Sequence, residues 1–439
     1  MIRFLTKGLL RDRSRSLFPV LIITITVGIV IFTVGFMKGT MNSVFLDTAV
    51  IISGHEKVVT RAYKEESQML PNDLALLDED QIIKNLNKDY PTHFWSPRIT
   101  FGGLLDIPDN NGETKDQGPV IAIGIDLLSN ETRMPEIWGL EKCLVEGELP
   151  KNSKEVLISK KLANKLNISV GDLTTFIGTT MHNAFTTYNF LVAGTFDLRK
   201  GQADKQMMLV DISGAREALD MENAASEIFG FTHSLFYNDD KAVSLRTNYN
   251  NSFSDTSDIF SPVMLALRDS SEQMGTMVDM VDIFLLIIGG VFLTIVTIVL
   301  WNMGLMNGLR RHGEFGLRLA IGESKGDVYR SMILESLIIG FTGTILGTGI
   351  GLMLTYYVQE YGIDYSEVVS SISTSSMVMP NILYAQITPE LYYIGFIPGV
   401  IATVLGAMLS GIAIYKREMA QLFKAVSYTH LTLPTTPYV

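Results

Sequence analysis

The sequence predicts an α-helical membrane protein with four transmembrane helices and a large mixed α/β extracytoplasmic domain inserted between helices 1 and 2. Three observations carry that prediction. Apolar runs near the roughly 20 residues that cross a bilayer stand at 17–37, 281–305, 332–358 and 391–415. A long polar stretch, 38–280, separates the first from the second. Charge is asymmetric between the short connections: Arg310, Arg311, Arg318, Lys325 and Arg330 fill 306–331, whereas 359–390 has no Lys or Arg and carries the acids Glu360, Asp364, Glu367 and Glu390. Short cytoplasmic loops collect Lys and Arg. The connector 306–331 is therefore expected in the cytoplasm with both termini, and 38–280 across the membrane.

Taken in order, residues 1–16 mix Arg3, Lys7, Arg11, Arg13 and Arg15 with Ile2, Phe4, Leu5, Leu9 and Leu10. That pattern predicts an amphipathic helix on the cytoplasmic membrane surface. The run 17–37 is too long for a signal-peptide core, and no small-residue cleavage site follows it, so an uncleaved first span is expected. Within 38–280, apolar and β-branched runs predict strands at His55–Thr60, Ile99–Leu105, Val120–Ile125, Glu155–Ile158, Leu173–Ile177, Tyr188–Ala193 and Gln206–Val210. Short helices are expected at Lys160–Leu166, Ser213–Leu219 and Asp240–Arg246. Asp106–Gly118 reads as a flexible hairpin loop or subdomain crossing, and Asn248–Asp258 as a mobile loop. Ser270–Asp282 is expected to be a helical stalk running into the second span.

In the connector, Phe315, Leu319 and Ala320 share one face of a short helix that Gly322 should stop. Ser324 with Asp327 three residues on marks the next helix start. Gly343, Gly347 and Gly351 in the third span, and Ala402, Gly406 and Ser410 in the fourth, repeat every four residues. Such stripes let helix backbones approach closely, within one chain or at a seam between subunits. Glu335 is expected in the first turn of span three, where a carboxylate complements the helix dipole. Residues 416–425 form a short cytoplasmic tail; 426–439, Thr- and Pro-rich, reads as non-native sequence.

Several chemistries are excluded by what the 439 residues lack. No Gly-Lys-Ser/Thr follows a Gly-rich turn, so no P-loop is present and ATP hydrolysis is expected from a separate subunit. No nucleophile elbow or zinc motif appears, and the His residues have no ligand spacing. The single cysteine, Cys143, can form no internal disulfide. Neither catalytic residues, cofactor nor metal are therefore expected. The net charge of −11 without a basic stripe excludes nucleic acid as a partner.

The connector EFGLRLAIGESKGDVYRSMILES resembles the signature of the FtsX/MacB-like ABC transporter permeases, in which it is the coupling element after the second span. The arrangement of one span, a large outer domain and three more spans is similar too. So are GHEKVVTRAY, resembling the opening strand of that family's periplasmic core domain, and LVEGELPKNSKEVLISKKLANKLNISVGDLTTF, resembling its core pattern. One departure is that Lys416–Leu422 lacks the Pro that members carry after the fourth span. The resemblance implies a dimeric permease, paired with an identical or a different second subunit and bound to two copies of a cytoplasmic ABC ATPase. It implies ATPase coupling by Glu314, Phe315, Gly316, Arg318 and Gly322. The lipoprotein-releasing (LolC/LolE-type) branch is the expected one. There the permease sits in a bacterial inner membrane and hands lipoproteins to a periplasmic carrier. A MacB-like exporter of drugs, peptides or toxins working through an adaptor is the alternative. A signal transducer that moves no substrate, and only controls cell-wall hydrolases or a sensor kinase, is a reading from another class.

Overall fold

The computed structural model describes residues 13–109, 112–198, 204–252, 258–310, 312–365 and 382–416. Most of the N-terminal amphipathic helix and all of the 426–439 tail expected from sequence lie outside these residues. Among the described residues, four helices are long and apolar enough to cross a membrane. Met41–Val281 forms one compact unit, and Asp282–Ile363 belongs to the other with the first and fourth spans.

The outer unit is built on a ten-stranded mixed sheet. Its strands are β1 (Glu56–Thr60), β3 (His93–Pro108), β4 (Thr114–Ile125), β5 (Leu144–Gly147), β6 (Glu155–Ser159), β7 (Leu173–Thr179), β8 (Phe185–Phe196), β9 (Met207–Asp211), β11 (Glu227–Thr232) and β12 (Pro262–Ala266). The two-residue strands β2 (Leu76–Leu77) and β10 (Ala224–Ala225) pair separately. The order is β12-β1-β11-β3-β4-β9-β6-β8-β5, with β7 pairing both β3 and β8. That double pairing closes the circuit β3-β4-β9-β6-β8-β7 into a small barrel. Two of its joints, β4–β9 and β6–β8, are parallel.

Alternation fills the barrel. In β4, Val120 and Ala122 are buried while Pro119 and Ile121 are exposed, as a period of two requires. These residues share a core with Phe101, Leu105, Val156, Ile158, Phe176, Phe190, Val192, Met208 and Val210. Phe101 and Phe176 meet edge to face at 5.0 Å. Gly103 on β3 is required there, because a Cβ would stand 2.4 Å from the Phe176 ring. The first half of β3 instead joins the open sheet β12-β1-β11, whose Trp95, Ile228 and Met264 pack with Leu86 and Tyr249 from the helices. An open sheet edge invites strand addition, and β12 is blunted. Asn250 donates its side-chain amide to the Met264 carbonyl at 2.9 Å and accepts the Met264 N–H at 2.8 Å. The Ala266 N–H donates to Asp269 Oδ2 at 2.9 Å, and Pro262 has no N–H to offer.

Two loop expectations are corrected. Asp106–Gly118 is mostly strand: β3 and β4 stay in register through Asp106↔Gln117 and Ile107↔Asp116. Its polar residues are tolerated because this part of the hairpin needs no buried second face. Asn248–Asp258 is helical at its start, since one helix runs Asp239–Ser252 and buries Ala242 and Tyr249. β5, β11, β12 and the helix Glu79–Asp89 were not expected from the sequence.

In the membrane unit the spans lie in helices Arg13–Thr48, Glu272–Arg310 and Lys325–Tyr361, and in Leu391–Lys416. The last is not regular. Pro398 has no N–H to donate, and the helix widens to a π-turn at Ile397–Ala402 before resuming at Thr403–Lys416. Ile23, Val27, Val30, Ile31, Val296, Leu300, Ile339, Leu391 and Ala402 form the core between helices. Exposed Tyr356, Tyr357, Tyr361, Tyr392 and Tyr393 gather at the end of span three and the start of span four. Tyrosines of this kind sit at a membrane–water interface, apolar ring inward and hydroxyl outward. At the same end a short extended segment is tied down. Gln386 N–H donates to the Gly35 carbonyl and Ile387 N–H to Gln359 Oε1, both at 2.9 Å, and Lys38 pairs with Glu390. Gly39 permits this, since a Cβ would come within 2.4 Å of the Ala385 backbone.

The dipole account of Glu335 is also corrected. The third helix begins at Lys325. Glu335 therefore stands almost three turns inside, at ~3.6 residues per turn, beyond the first turn where the dipole acts.

Candidate functional site

The connector between the second and third spans is a helical hairpin. Its first helix is His312–Ala320 and its second is the start of Lys325–Tyr361. Phe315 and Leu319 are buried against Val328 and Met332, with Tyr329 alongside. Ala320, expected on that face, is exposed. At i+5 it has rotated well past the contact, whereas i and i+4 stay aligned.

The turn follows from the residues that make it. Gly322 has φ +99°, a conformation in which glycine pays no Cβ penalty. Glu323 N–H bonds to the Arg318 carbonyl and Gly322 N–H to the Leu319 carbonyl, both at 3.1 Å. These are the six-to-one and five-to-two bonds of a Schellman motif. A hydrophobic contact usually accompanies that motif between the third-last helical residue and the second one past the cap. Here those positions are Arg318 and Glu323, and a salt bridge takes its place. Arg318 Nε donates to Glu323 Oε2 at 2.7 Å and Nη2 to Oε1 at 2.5 Å. Arg318 Nη1 also donates to Ser331 Oγ at 2.9 Å on the second helix. The next helix starts at Ser324, whose Oγ accepts the Asp327 N–H at 3.1 Å.

Of the residues singled out in the motif, Phe315, Gly316 and Arg318 thus face or brace the hairpin. Glu314 is half-buried and Gly322 forms its exposed turn. Glu323 and Ser331, which complete the brace, were missed; the Gly322 turn signal locates Glu323 once the motif is recognised. Two apolar residues point the other way: Leu317 is 60% exposed and Ile321 77%.

The small-residue stripes are occupied within this chain. Gly343, Gly347 and Gly351 lie against the first span, where added Cβ atoms would come within 2.8 Å of Ile23, 2.7 Å of the Thr24 carbonyl and 2.9 Å of the Gly28 carbonyl. Gly406 meets the second span at Gly304 and the Trp301 carbonyl. Ala402 is buried in the interhelical core, and buried Ser410 lies beside Met332.

A second polar cluster, which no sequence motif announced, lies in the outer unit. Arg98 on β3 stands directly opposite Glu227 on β11. Its Nη1 and Nη2 donate to the Val50 and Ile51 carbonyls at 3.2 and 2.6 Å, and its Nε to Thr100 Oγ1 at 3.1 Å. Those carbonyls end the helical run that closes at Ser53, where acceptors lack intrahelical partners and a cation is favoured. The guanidinium also lies 4.6 Å from the Phe229 ring centroid. Lys57 Nζ reaches Glu227 at 2.8 Å. Burial pulls the Arg98 pKa down, while Glu227 pushes it back up. Among the described residues, no group of His, Cys, Asp and Glu could hold a metal ion.

Four membrane-length helices, with a mixed α/β domain between the first and second, define a multi-pass membrane protein carrying one large domain outside the spans. Residues 286–419 match the family model described as FtsX-like permease C-terminal. The chain accordingly carries an FtsX-like permease domain over those residues, which bears out there the resemblance read from the connector motif. Over 122 residues it is 24% identical to a probable syringafactin export ATP-binding/permease protein of Pseudomonas syringae pv. tomato, a match covering 26% of this chain and 17% of that protein. Over 126 residues it is 22% identical to a macrolide export ATP-binding/permease protein of Chromobacterium violaceum, covering 28% of this chain and 18% of that protein. The matches thus span less than a fifth of those relatives. A crystal structure of the periplasmic region of MacB from Actinobacillus actinomycetemcomitans aligns over 52% of this chain and 94% of that one, with 12% identity and a TM-score of 0.34.

Proposed function

We propose that the chain is the membrane subunit of an ABC transport system in a bacterial inner membrane. It would carry ATP-driven motion from a cytoplasmic ATPase to the domain across the bilayer. The observation that carries this reading is the braced hairpin of residues 312–331, inside the family-matched segment and on the Arg- and Lys-rich side of the spans. A hairpin held by a salt bridge and four buried apolar side chains moves as one piece with span three. The division of the chain goes with it: coupling segment 306–331, outer domain 38–280, both termini cytoplasmic. Two ATPase copies and a second permease subunit complete the assembly.

Lipoproteins leaving the membrane for a periplasmic carrier are the first proposed substrate. Export of a drug, peptide or toxin through an adaptor is the second reading, favoured by the export relatives whose permease segments match. The test is reconstitution in proteoliposomes with each ABC ATPase subunit of the source cell. The chain alone should hydrolyse no ATP. With its ATPase it should release a triacylated lipoprotein to the aqueous phase in an ATP-dependent way. Hydrolysis with transport of a small amphiphile and no lipoprotein release would establish the second reading. Failure to bind any ATPase would refute both.

A further inference from the structure

We propose that a cavity in the outer unit binds a phosphoethanolamine group, its phosphate held by Lys64 with Arg246 and Arg268 and its ammonium by Glu272. The cavity measures about 530 Å³. Small-ligand sites run from about 300 to 1,000 Å³. Four pieces of chain converge on it: the helix Arg61–Glu66, the helix Asp239–Ser252, strand β12 and the start of the helix Glu272–Arg310. No sequence motif marks it, and the permease reading above makes no use of it.

The charges around it are of two kinds. Some are spent on the fold. Arg246 Nη1 holds both carboxylate oxygens of Asp269 at 2.6 Å, and Arg268 spans Asp239 and Asp279 at 2.6 and 2.7 Å. Others are unspent. Arg246 Nε and Nη2 and Arg268 Nε make no hydrogen bond among the described residues. Lys64 and Glu272 are exposed, and among the described residues neither side chain has an ion pair or a hydrogen bond. Ser271 Oγ accepts the Met274 N–H and keeps its own proton to donate.

That balance selects the ligand. An anion alone would face the Glu272 and Asp269 carboxylates, and a cation alone would face Lys64 and the two guanidinium groups. Like charges brought together oppose binding. A ligand with one anionic and one cationic end meets a partner at each. Guanidinium donors match phosphate oxygens, and a free carboxylate forms a charge-assisted hydrogen bond with an ammonium. Among the described residues no aromatic ring lines the cavity, so no base would stack there. Strand addition is blocked too, because Asn250 already holds the Met264 N–H and carbonyl on the open edge of β12. Position brings one bearer of the group near. Gly275 lines the cavity, and the apolar run of the same helix begins at Ile283. At a rise of ~1.5 Å per residue, the two are about 12 Å apart along the helix. Lipid headgroups add about 5–8 Å outside the hydrocarbon on each side, so the cavity stands just beyond them.

The test titrates the full chain, in lipid-free maltoside micelles, with phosphoethanolamine, inorganic phosphate, ethanolamine and glycine, followed by calorimetry. Phosphoethanolamine should bind about tenfold or more tighter than phosphate or ethanolamine, each of which meets only one sign of charge correctly. Lys64→Glu and Glu272→Lys should each weaken it about tenfold or more. Both side chains are exposed and unpaired, so both variants should melt as wild type does. Lys84→Glu, at an exposed position on the helix Glu79–Asp89, should bind as wild type. Equal binding of inorganic phosphate would make this a plain anion site and overturn the proposal. Equal binding of glycine, no binding of phosphoethanolamine, or unchanged binding in both charge reversals would overturn it as well. Nanodiscs then separate the two bearers of the group. If phosphatidylethanolamine in the disc suppresses binding of the soluble probe, relative to phosphatidylglycerol discs, the lipid headgroup is the occupant. If it does not, the site takes the free ester.

Discussion

Arg318 grips both carboxylate oxygens of Glu323, closing the turn between the helix His312–Ala320 and the third span. Such two-pronged pairs are geometrically specific and stronger than single contacts. With both side chains about a quarter to a third exposed, the pair is worth about 1 kcal/mol. Arg318→Glu should loosen the hairpin rather than merely misplace a surface charge, and Arg318→Glu with Glu323→Arg should restore it in part. Hydrogen exchange of 312–331 reads this directly. Equal protection in the wild type and in Arg318→Glu would show that the turn does not depend on the pair.

The buried Arg98 should matter far more to stability. Arg98→Met leaves Glu227 with Lys57 as its partner and strands the Val50 and Ile51 carbonyls. Leaving a buried acceptor unsatisfied costs about 1–3 kcal/mol, and two are left here. Arg133→Met, which removes an exposed pair with Glu136, should cost about 1 kcal/mol or less. Thermal unfolding followed by tryptophan fluorescence compares the two, since Trp95 and Trp138 both lie in the outer unit.

A third expectation concerns pH. His55 is fully buried, its Nδ1 accepting the Thr232 N–H at 3.2 Å. Burial, helped by nearby His93, pulls its pKa from 6.5 to about 3. The unfolded chain therefore binds this proton first as pH falls. The stability due to neutral His55 is fully present above pH 6.5 and is lost progressively between there and about 3, at up to about 1.4 kcal/mol per pH unit. His55→Gln should be less stable at neutral pH yet show a shallower acid slope. Urea melts between pH 8 and 4 measure both, and parallel slopes would count against a titrating His55.

The glycine stripes make a comparison within one membrane. Gly347→Val would drive a side chain into Thr24 and Val27, at 2.7 and 2.9 Å from its Cβ. Overpacking of this kind costs about 1–3 kcal/mol. Gly289→Val in the second span meets nothing within 4 Å and should leave thermal stability in detergent nearly unchanged. A larger loss at Gly289 than at Gly347 would mean that the second span's face is covered by something other than lipid.

What the amino-acid sequence determined by itself was much of what depends on local pattern. The spans were legible because roughly 20 consecutive apolar residues have no alternative in water. Strands such as Glu155–Ser159 and Met207–Asp211 were legible from short β-branched and apolar runs bounded by turn residues. The hairpin turn at Gly322 and the helix start at Ser324 followed from backbone chemistry confined to a few residues. Only the tertiary structure decided which distant groups meet. β4 pairs β9 in parallel, and β7 bridges β3 and β8 to close the barrel; no local pattern encodes a partner strand so far along the chain. A stripe reading Gly343, Gly347, Gly351 suits a partner helix in the same chain or another, and the first span's Ile23, Val27 and Ile31 occupy it. Arg98 reads as an ordinary strand arginine until Glu227 and the end of the first helix come to it. Arg318 and Leu317 are adjacent in the motif, yet one braces the hairpin and the other faces outward. A helix turns about 100° per residue, and only the packing of its neighbour decides which side is inside.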